Sequence, residues 1–177
     1  MKIAISSASN NNVSEKYKYI ARKVANYLAS HGYDLIWGSC SVSLMGICYE
    51  EFSKSNRNIY GYTTKKYACD IDNLINAKHV ICEDTYILKK EMFNNTDVLL
   101  MLPGGTGTIS EFFSYLEEIR SNDNKKLLIV YNEDNHFDSM FDLLNDLVDR
   151  NFNDVSIYGY FKIINNLEEL GEVLGID

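Results

Sequence analysis

The chain has 177 residues, of which 46% are hydrophobic and 24% charged, the balance of an ordinary globular protein with room for a sizeable core in one domain. A net charge of −8, with no basic face or tail beyond Lys65-Lys66, argues against a nucleic-acid or anionic-membrane surface. A small anionic ligand stays open, because local backbone N–H groups bind one even inside an acidic protein. No apolar stretch approaches the roughly 20 residues of a membrane span, and the N-terminus turns polar at Ser6, too early for a signal peptide. Cys40, Cys48, Cys69 and Cys82 show no CxxC pairing and no histidine at ligand spacing. They read as reduced thiols of a cytoplasmic protein without a metal site.

In chain order, residues 3–5 read as a first strand. Tyr17, Ile20, Ala21, Val24 and Leu28 then recur at helical spacing and stop at Gly32. Residues 33–37 form a second strand, followed by the loop Gly38-Ser39-Cys40-Ser41-Val42-Ser43 and a helix from about Leu44. Strands are predicted at 58–62 and 79–82, with an irregular or weakly helical stretch over 65–77 between them. A helix over about 84–95 precedes the strand 98–102. A strand at 127–131, a helix over about 137–151, a strand near 161–164 and a closing helix at 167–174 complete the pattern. Alternating strands and helices predict an α/β fold: a doubly wound parallel sheet of about seven strands, helices on both faces, and right-handed crossovers. Ligands of such sheets bind at the carboxyl ends of the strands, so the loops after Ile5, Trp37 and Leu102 are expected to share one edge.

The most informative segment is Pro103-Gly104-Gly105-Thr106-Gly107-Thr108, which holds the only proline and three of the ten glycines. The run Val98-Leu99-Leu100-Met101-Leu102 leads into it, and Ile109, Phe112, Phe113, Leu116 and Ile119 follow at helical spacing. A strand that turns through glycines into a helix aims several N–H groups at one point, where the helix dipole also favours negative charge. Gly104, Gly105, Thr106, Gly107 and Thr108 are therefore the predicted phosphate or ribose seat. The segment is neither a Walker A loop nor a GxGxxG fingerprint.

Glu111 admits two readings. Thr108-Ile109-Ser110-Glu111 is a capping-box pattern, which would give the carboxylate a structural task. A carboxylate fixed beside a nucleotide phosphate also suits stabilisation of a ribosyl oxocarbenium ion or orientation of a water. His31 precedes the glycine that ends its helix, where a cation suits the dipole. His79 and His136 stand apart from it. Phe112, Phe113 and Trp37 read as core.

Residues 103–111, Pro-Gly-Gly-Thr-Gly-Thr-Ile-Ser-Glu, match PGGxGTxxE, the signature of the LOG (LONELY GUY) family. Its members are cytokinin riboside 5′-monophosphate phosphoribohydrolases and bacterial relatives, long mislabelled as lysine decarboxylases. The resemblance spans nearly the whole chain: residues 37–46 look like the family's YGGGxxGLMG segment, residues 84–92 like the stretch before the signature, and residues 132–138 like a later segment ending in an aromatic and Asp. It implies a Rossmann-like homodimer that hydrolyses the N-glycosidic bond of a nucleoside 5′-monophosphate, with no metal or redox cofactor. The glutamate matching Glu111 works, in the family, with an arginine of an Arg-Lys pair. Here Lys89 falls on the lysine, so Glu111 and Lys89 are the expected catalytic residues, with Ser7, Gly38 and Met92 as expected substrate contacts. The arginine position holds Leu88, which lacks charge and donors, and Ser39, Cys40 and Ser43 stand where family glycines sit. Those departures keep two alternatives open: a nucleotide-binding protein that has lost catalysis, and a ribosyl or deoxyribosyl transferase.

Overall fold

The structure, a computed structural model, describes residues 1–122 and 125–176, with side chains throughout except at residues 69 and 70. The Cys69 thiol therefore lies outside the described residues. The strands are β1 (Lys2–Ser6), β2 (Asp34–Trp37), β3 (Ile59–Thr64), β4 (Ala77–Cys82), β5 (Val98–Met101), β6 (Leu127–Tyr131) and β7 (Lys162–Ile164). The helices are α1 (Glu15–Ser30), α2 (Ser43–Lys54), α3 (Thr85–Asn94), α4 (Thr106–Ser121), α5 (Asp138–Asp149) and α6 (Leu167–Leu174). All seven strands form one parallel sheet in the order β4-β3-β2-β1-β5-β6-β7. The chain starts in the middle, winds out to β4, returns to pair β5 with β1, and winds away to β7.

Alternation along the strands feeds two cores. Ile3, Ile5, Leu35, Trp37, Leu100, Ile129 and Tyr131 face α1, α2 and α6, while Ala4, Ile36, Leu99, Met101, Leu128 and Val130 face α3, α4 and α5. The amphipathic spacing read in α1 is the buried stripe Ile20, Ala21, Val24, Ala25 and Leu28. Its C-cap, His31, holds the Tyr27 carbonyl through Nδ1 at 2.7 Å, and the chain turns at Gly32 with φ +87°. Phe112 and Trp37 are core, as expected. The stretch expected to be irregular or weakly helical is a 3-10 helix over Lys65–Asn73.

An ion cluster ties α1 to α2. Glu51, its side chain 7% exposed, accepts from Arg22 Nη1 at 2.6 Å and Lys54 Nζ at 2.8 Å. Burial pushes its carboxyl up, but Lys54 and Arg22 together outweigh that and hold it below the ordinary range. A lowered folded-state pKa contributes stability above the unfolded value of about 4.3 and loses it as pH falls through the folded one. Both cations are largely solvated, which limits the effect to about 1 kcal/mol. Glu51→Gln is thus expected to lower stability by that amount in urea denaturation at pH 7, with the gap to wild type closing at pH 3.

Candidate functional site

The turn after β5 is fixed to the loop after β1: Leu102 N–H donates to the Ser6 carbonyl at 2.9 Å, and Ala8 N–H to the Pro103 carbonyl at 3.1 Å. The chain passes through Gly104 to Gly105, which caps α4. The first i to i−4 bond runs from Ile109 N–H to the Gly105 carbonyl at 3.0 Å, so the amides of Thr106, Gly107 and Thr108 precede any helical acceptor. Those amides lie in the segment from which the sequence predicted an anion seat. Gly104 is obligatory, because a Cβ there would collide with the side chain of Thr108, itself only 4% exposed. His136, from the turn before α5, braces Gly104 with Nε2 at 2.8 Å from its carbonyl oxygen and 3.1 Å from its amide nitrogen.

The capping-box reading of Glu111 does not survive. Because Gly105 is the N-cap of α4, Thr108 sits inside the first turn and makes no side-chain cap, and Glu111 lies one turn on. Its carboxylate faces a cavity instead.

Three cavities meet here, at the carboxyl edge where β1 and β5 part. The loops after β1 and β2 are stitched together by Ser43 Oγ donating to the Asn10 carbonyl at 2.7 Å and Met45 N–H to that of Ala8 at 3.3 Å. The largest cavity, about 440 Å³, is lined by Gly38, Ser39, Leu88, Lys89, Gly107 and Glu111 among others. Behind it lies a pocket of about 130 Å³ with Ser6, Ser7, Gly38, Met92, Thr108 and Glu111 on its walls. Across the glycine turn, a cavity of about 360 Å³ is bounded by Asn10, Asn12, Tyr17, Gly104, Gly105 and His136. Glu111, Lys89, Gly107 and Gly38 thus converge on one chamber, Ser7, Met92 and Thr108 stand just behind it, and Gly104 and Gly105 face the far side of the turn. Thr106 is exposed at the start of α4.

Lys89 Nζ donates to Ser110 Oγ at 2.7 Å and Ser114 Oγ at 3.3 Å, on the face of α4 that carries Glu111. Leu88, at the family's arginine position, lines the same cavity with an apolar side chain. Burial pushes the Glu111 carboxyl above the ordinary range, against the smaller pull of the Ser6 hydroxyl and the Lys89 ammonium. The Tyr115 phenol beneath it is pushed well up by burial and by the Glu111 charge. Ser6 Oγ, Ser7 Oγ and Tyr115 OH are buried with no contact of hydrogen-bond geometry, so Ser6 acts on both groups through proximity alone. The cluster is a carboxyl of raised basicity among neutral hydroxyls.

Two histidines that the sequence left scattered belong here: His136 on the turn, and His79, whose Nδ1 lies 3.0 Å from Ser39 Oγ. The only hint of the second was Gly61 in the middle of β3, since a lone glycine in a strand marks close approach. Among the described residues no group of three or more His, Cys, Asp or Glu stands close enough to hold a metal ion, and no helix is long and apolar enough to cross a membrane.

Residues 45–174 match the family model described as possible lysine decarboxylase. The chain belongs to this family, the LOG family. Relatives include the cytokinin riboside 5′-monophosphate phosphoribohydrolase LOG7 of Arabidopsis thaliana, 24% identical over 85% of this chain and 70% of that protein. The cytokinin riboside 5′-monophosphate phosphoribohydrolase of Mycobacterium tuberculosis is 25% identical over 85% of this chain and 81% of its own length. In fold, the chain is similar to the molybdenum cofactor carrier protein of Chlamydomonas reinhardtii, with TM-score 0.70 and 14% identity over 98% of each chain. The molybdenum cofactor binding protein of Rippkaea orientalis gives TM-score 0.71 at 18% identity, over 98% of this chain and 94% of that one. The two molybdenum cofactor proteins thus share this chain's Rossmann-like frame.

Because the Glu111 pKa is raised on folding, the ionised carboxylate opposes folding, and its cost grows as pH rises from the unfolded value of about 4.3. Glu111→Gln is expected to melt a few degrees higher than wild type at pH 7 and to lose that advantage at pH 4. A lower melting temperature at pH 7 would contradict the assigned electrostatics.

Proposed function

We propose that the protein hydrolyses the N-glycosidic bond of a nucleoside 5′-monophosphate, releasing the free base and ribose 5-phosphate. The observation that carries the proposal is the Glu111 carboxyl, one helical turn from the open amides of Thr106, Gly107 and Thr108 and facing the 440 Å³ cavity. With the phosphate on those amides, the ribose falls beside Glu111 and the base extends into the chamber past Leu88. The names of the relatives support the same chemistry.

The bond from C1′ to the base nitrogen breaks with its electron pair passing to the base, and positive charge grows on the ribosyl ring. Ionised Glu111 stabilises that charge and takes a proton from the attacking water, whose oxygen bonds to C1′. The departing base nitrogen takes up a proton from solvent, and Glu111 returns its own to solvent. Its raised pKa makes it the better base. Lys89 supplies a single mobile positive charge where the family pattern has a guanidinium fork, and Leu88 supplies none. The exposed apolar pairs Val80 and Ile81 of β4 and Tyr86 and Ile87 of α3 support a homodimer through this edge of the sheet.

A second reading, a carrier that holds a phosphorylated ligand without turnover, is favoured by Leu88. The fold likeness to carriers of a cofactor bears on it as well.

Base release from AMP, GMP, CMP and UMP, followed by chromatography, tests the hydrolase. Wild type should release at least one base, Glu111→Gln should lose about 100-fold or more in kcat, and Leu88→Arg should raise turnover. Tight binding with no base released from any of the four overturns the hydrolase and leaves the carrier.

A further inference from the structure

We infer that Ser39 and His79 form a recognition pair that accepts a hydrogen bond from an exocyclic amino group at the end of the ligand farthest from the phosphate turn. The inference rests on a phosphorylated nucleotide-type ligand lying in the main cavity, as proposed above, and not on its hydrolysis.

Ser39 is 2% exposed and holds φ +49°, a left-handed conformation that costs a residue with a Cβ about 1 kcal/mol or more. Its hydroxyl meets His79 Nδ1 at 3.0 Å, and His79 Nε2 meets the Leu74 carbonyl at 3.1 Å. The Leu74 oxygen can only accept, so Nε2 of the neutral imidazole carries the proton and Nδ1 is bare. Ser39 must then donate its one proton to Nδ1. What the Ser39 oxygen has left for the cavity it lines is acceptance alone.

Three strands are shaped around this contact. Gly61 pairs with His79 on one side and Trp37 on the other. A Cβ at Gly61 would strike the Ser39 hydroxyl and come within 2.8 Å of both His79 Nδ1 and Trp37 Cζ3. Trp37 Nε1 donates to the Cys40 carbonyl at 3.3 Å, which pins the loop that presents Ser39. The hydroxyl is therefore held, and a held acceptor discriminates.

Sheet order decides which end of the ligand it reads. The phosphate turn follows β5 and Ser39 follows β2, two strand spacings or about 10 Å away, with its side chain leaning further towards β4. Around it the wall is Cys40, Met45, Thr63, Thr64 and Tyr67, all uncharged side chains. That wall suits a neutral, flat heterocycle whose outer edge carries the donor.

The test is calorimetric titration with AMP and with purine riboside 5′-monophosphate, which lacks the amino group. Wild type is expected to bind AMP about tenfold more tightly. Ser39→Gly, which relaxes the left-handed backbone and so keeps the fold, should bring the two affinities together by weakening AMP alone. A ratio unchanged in Ser39→Gly overturns the inference, as does a long-range proton–nitrogen spectrum placing the His79 proton on Nδ1. If both nucleotides bind without losing their bases, the hydrolase reading falls and the ratio still decides this one. If neither binds, both fall.

Discussion

The pairing of β1 with β5, from Ile3 against Val98 to Ser6 against Met101, joins the two halves of the sheet and sends their following loops in opposite directions. The crevice between those loops follows from that reversal. The bonds from Leu102 to Ser6 and from Ala8 to Pro103 extend the ladder past the strands, so the glycine turn enters α4 at a fixed height above Ser6. Glu111, one turn up the helix, is thereby set against the end of β1, where its half-buried carboxyl sits beside Ser6 and Tyr115 on the cavity wall. Shifting β5 by one residue would exchange Leu100 and Met101 between the two cores. It would also carry the turn and the glutamate away from Ser6.

Burial of a carboxylate among unpartnered hydroxyls is a local conflict in an otherwise well-satisfied fold. Glu51 shows the contrast within the same chain, since it too is buried, yet two cations lower its pKa. Glu111 has one ammonium nearby, and that ammonium is shared with Ser110 and Ser114. The first arrangement stabilises the junction of α1 and α2. The second leaves a base whose proton affinity is raised, and local conflicts of that kind concentrate at functional sites.

The sheet, its helices and the glycine turn were legible because each rests on a short-range pattern. The unbroken apolar run Val98-Leu99-Leu100-Met101, buried at every position, and the helical stripe of α1 report burial directly, and glycines report backbone close to a neighbour. The capping box misled because Thr108 and Glu111 have the right spacing whether the helix starts at Gly105 or three residues later. The bond from Ile109 N–H to the Gly105 carbonyl settles the start. His79 was invisible for another reason: its meeting with Ser39, forty positions away, depends on the register of β2, β3 and β4 together. Lys89 lay one residue off the arginine position, about 100° round a helix. Its flexible stem still brings the ammonium to α4, a reach that spacing does not encode.

The loss of the arginine changes how charge is divided in the chamber. Lys89 and Glu111 are the charged side chains among its lining residues, and they carry opposite signs. In the proposed complex no guanidinium meets the phosphate dianion, so its charge falls to the amides of Thr106, Gly107 and Thr108, to the dipole of a sixteen-residue helix and to the single Lys89 ammonium. Amides do not move to follow a ligand, so the proposed seat would hold the phosphate in one place. In the proposed reaction, charge that develops at C1′ is answered by Glu111 alone, in surroundings where one carboxylate acts more strongly than it would in water. An arginine at position 88 would strengthen the grip on the ligand and lower the proton affinity of that carboxylate. On the proposed reading, leucine there leaves the phosphate chiefly to the backbone and the chemistry to Glu111.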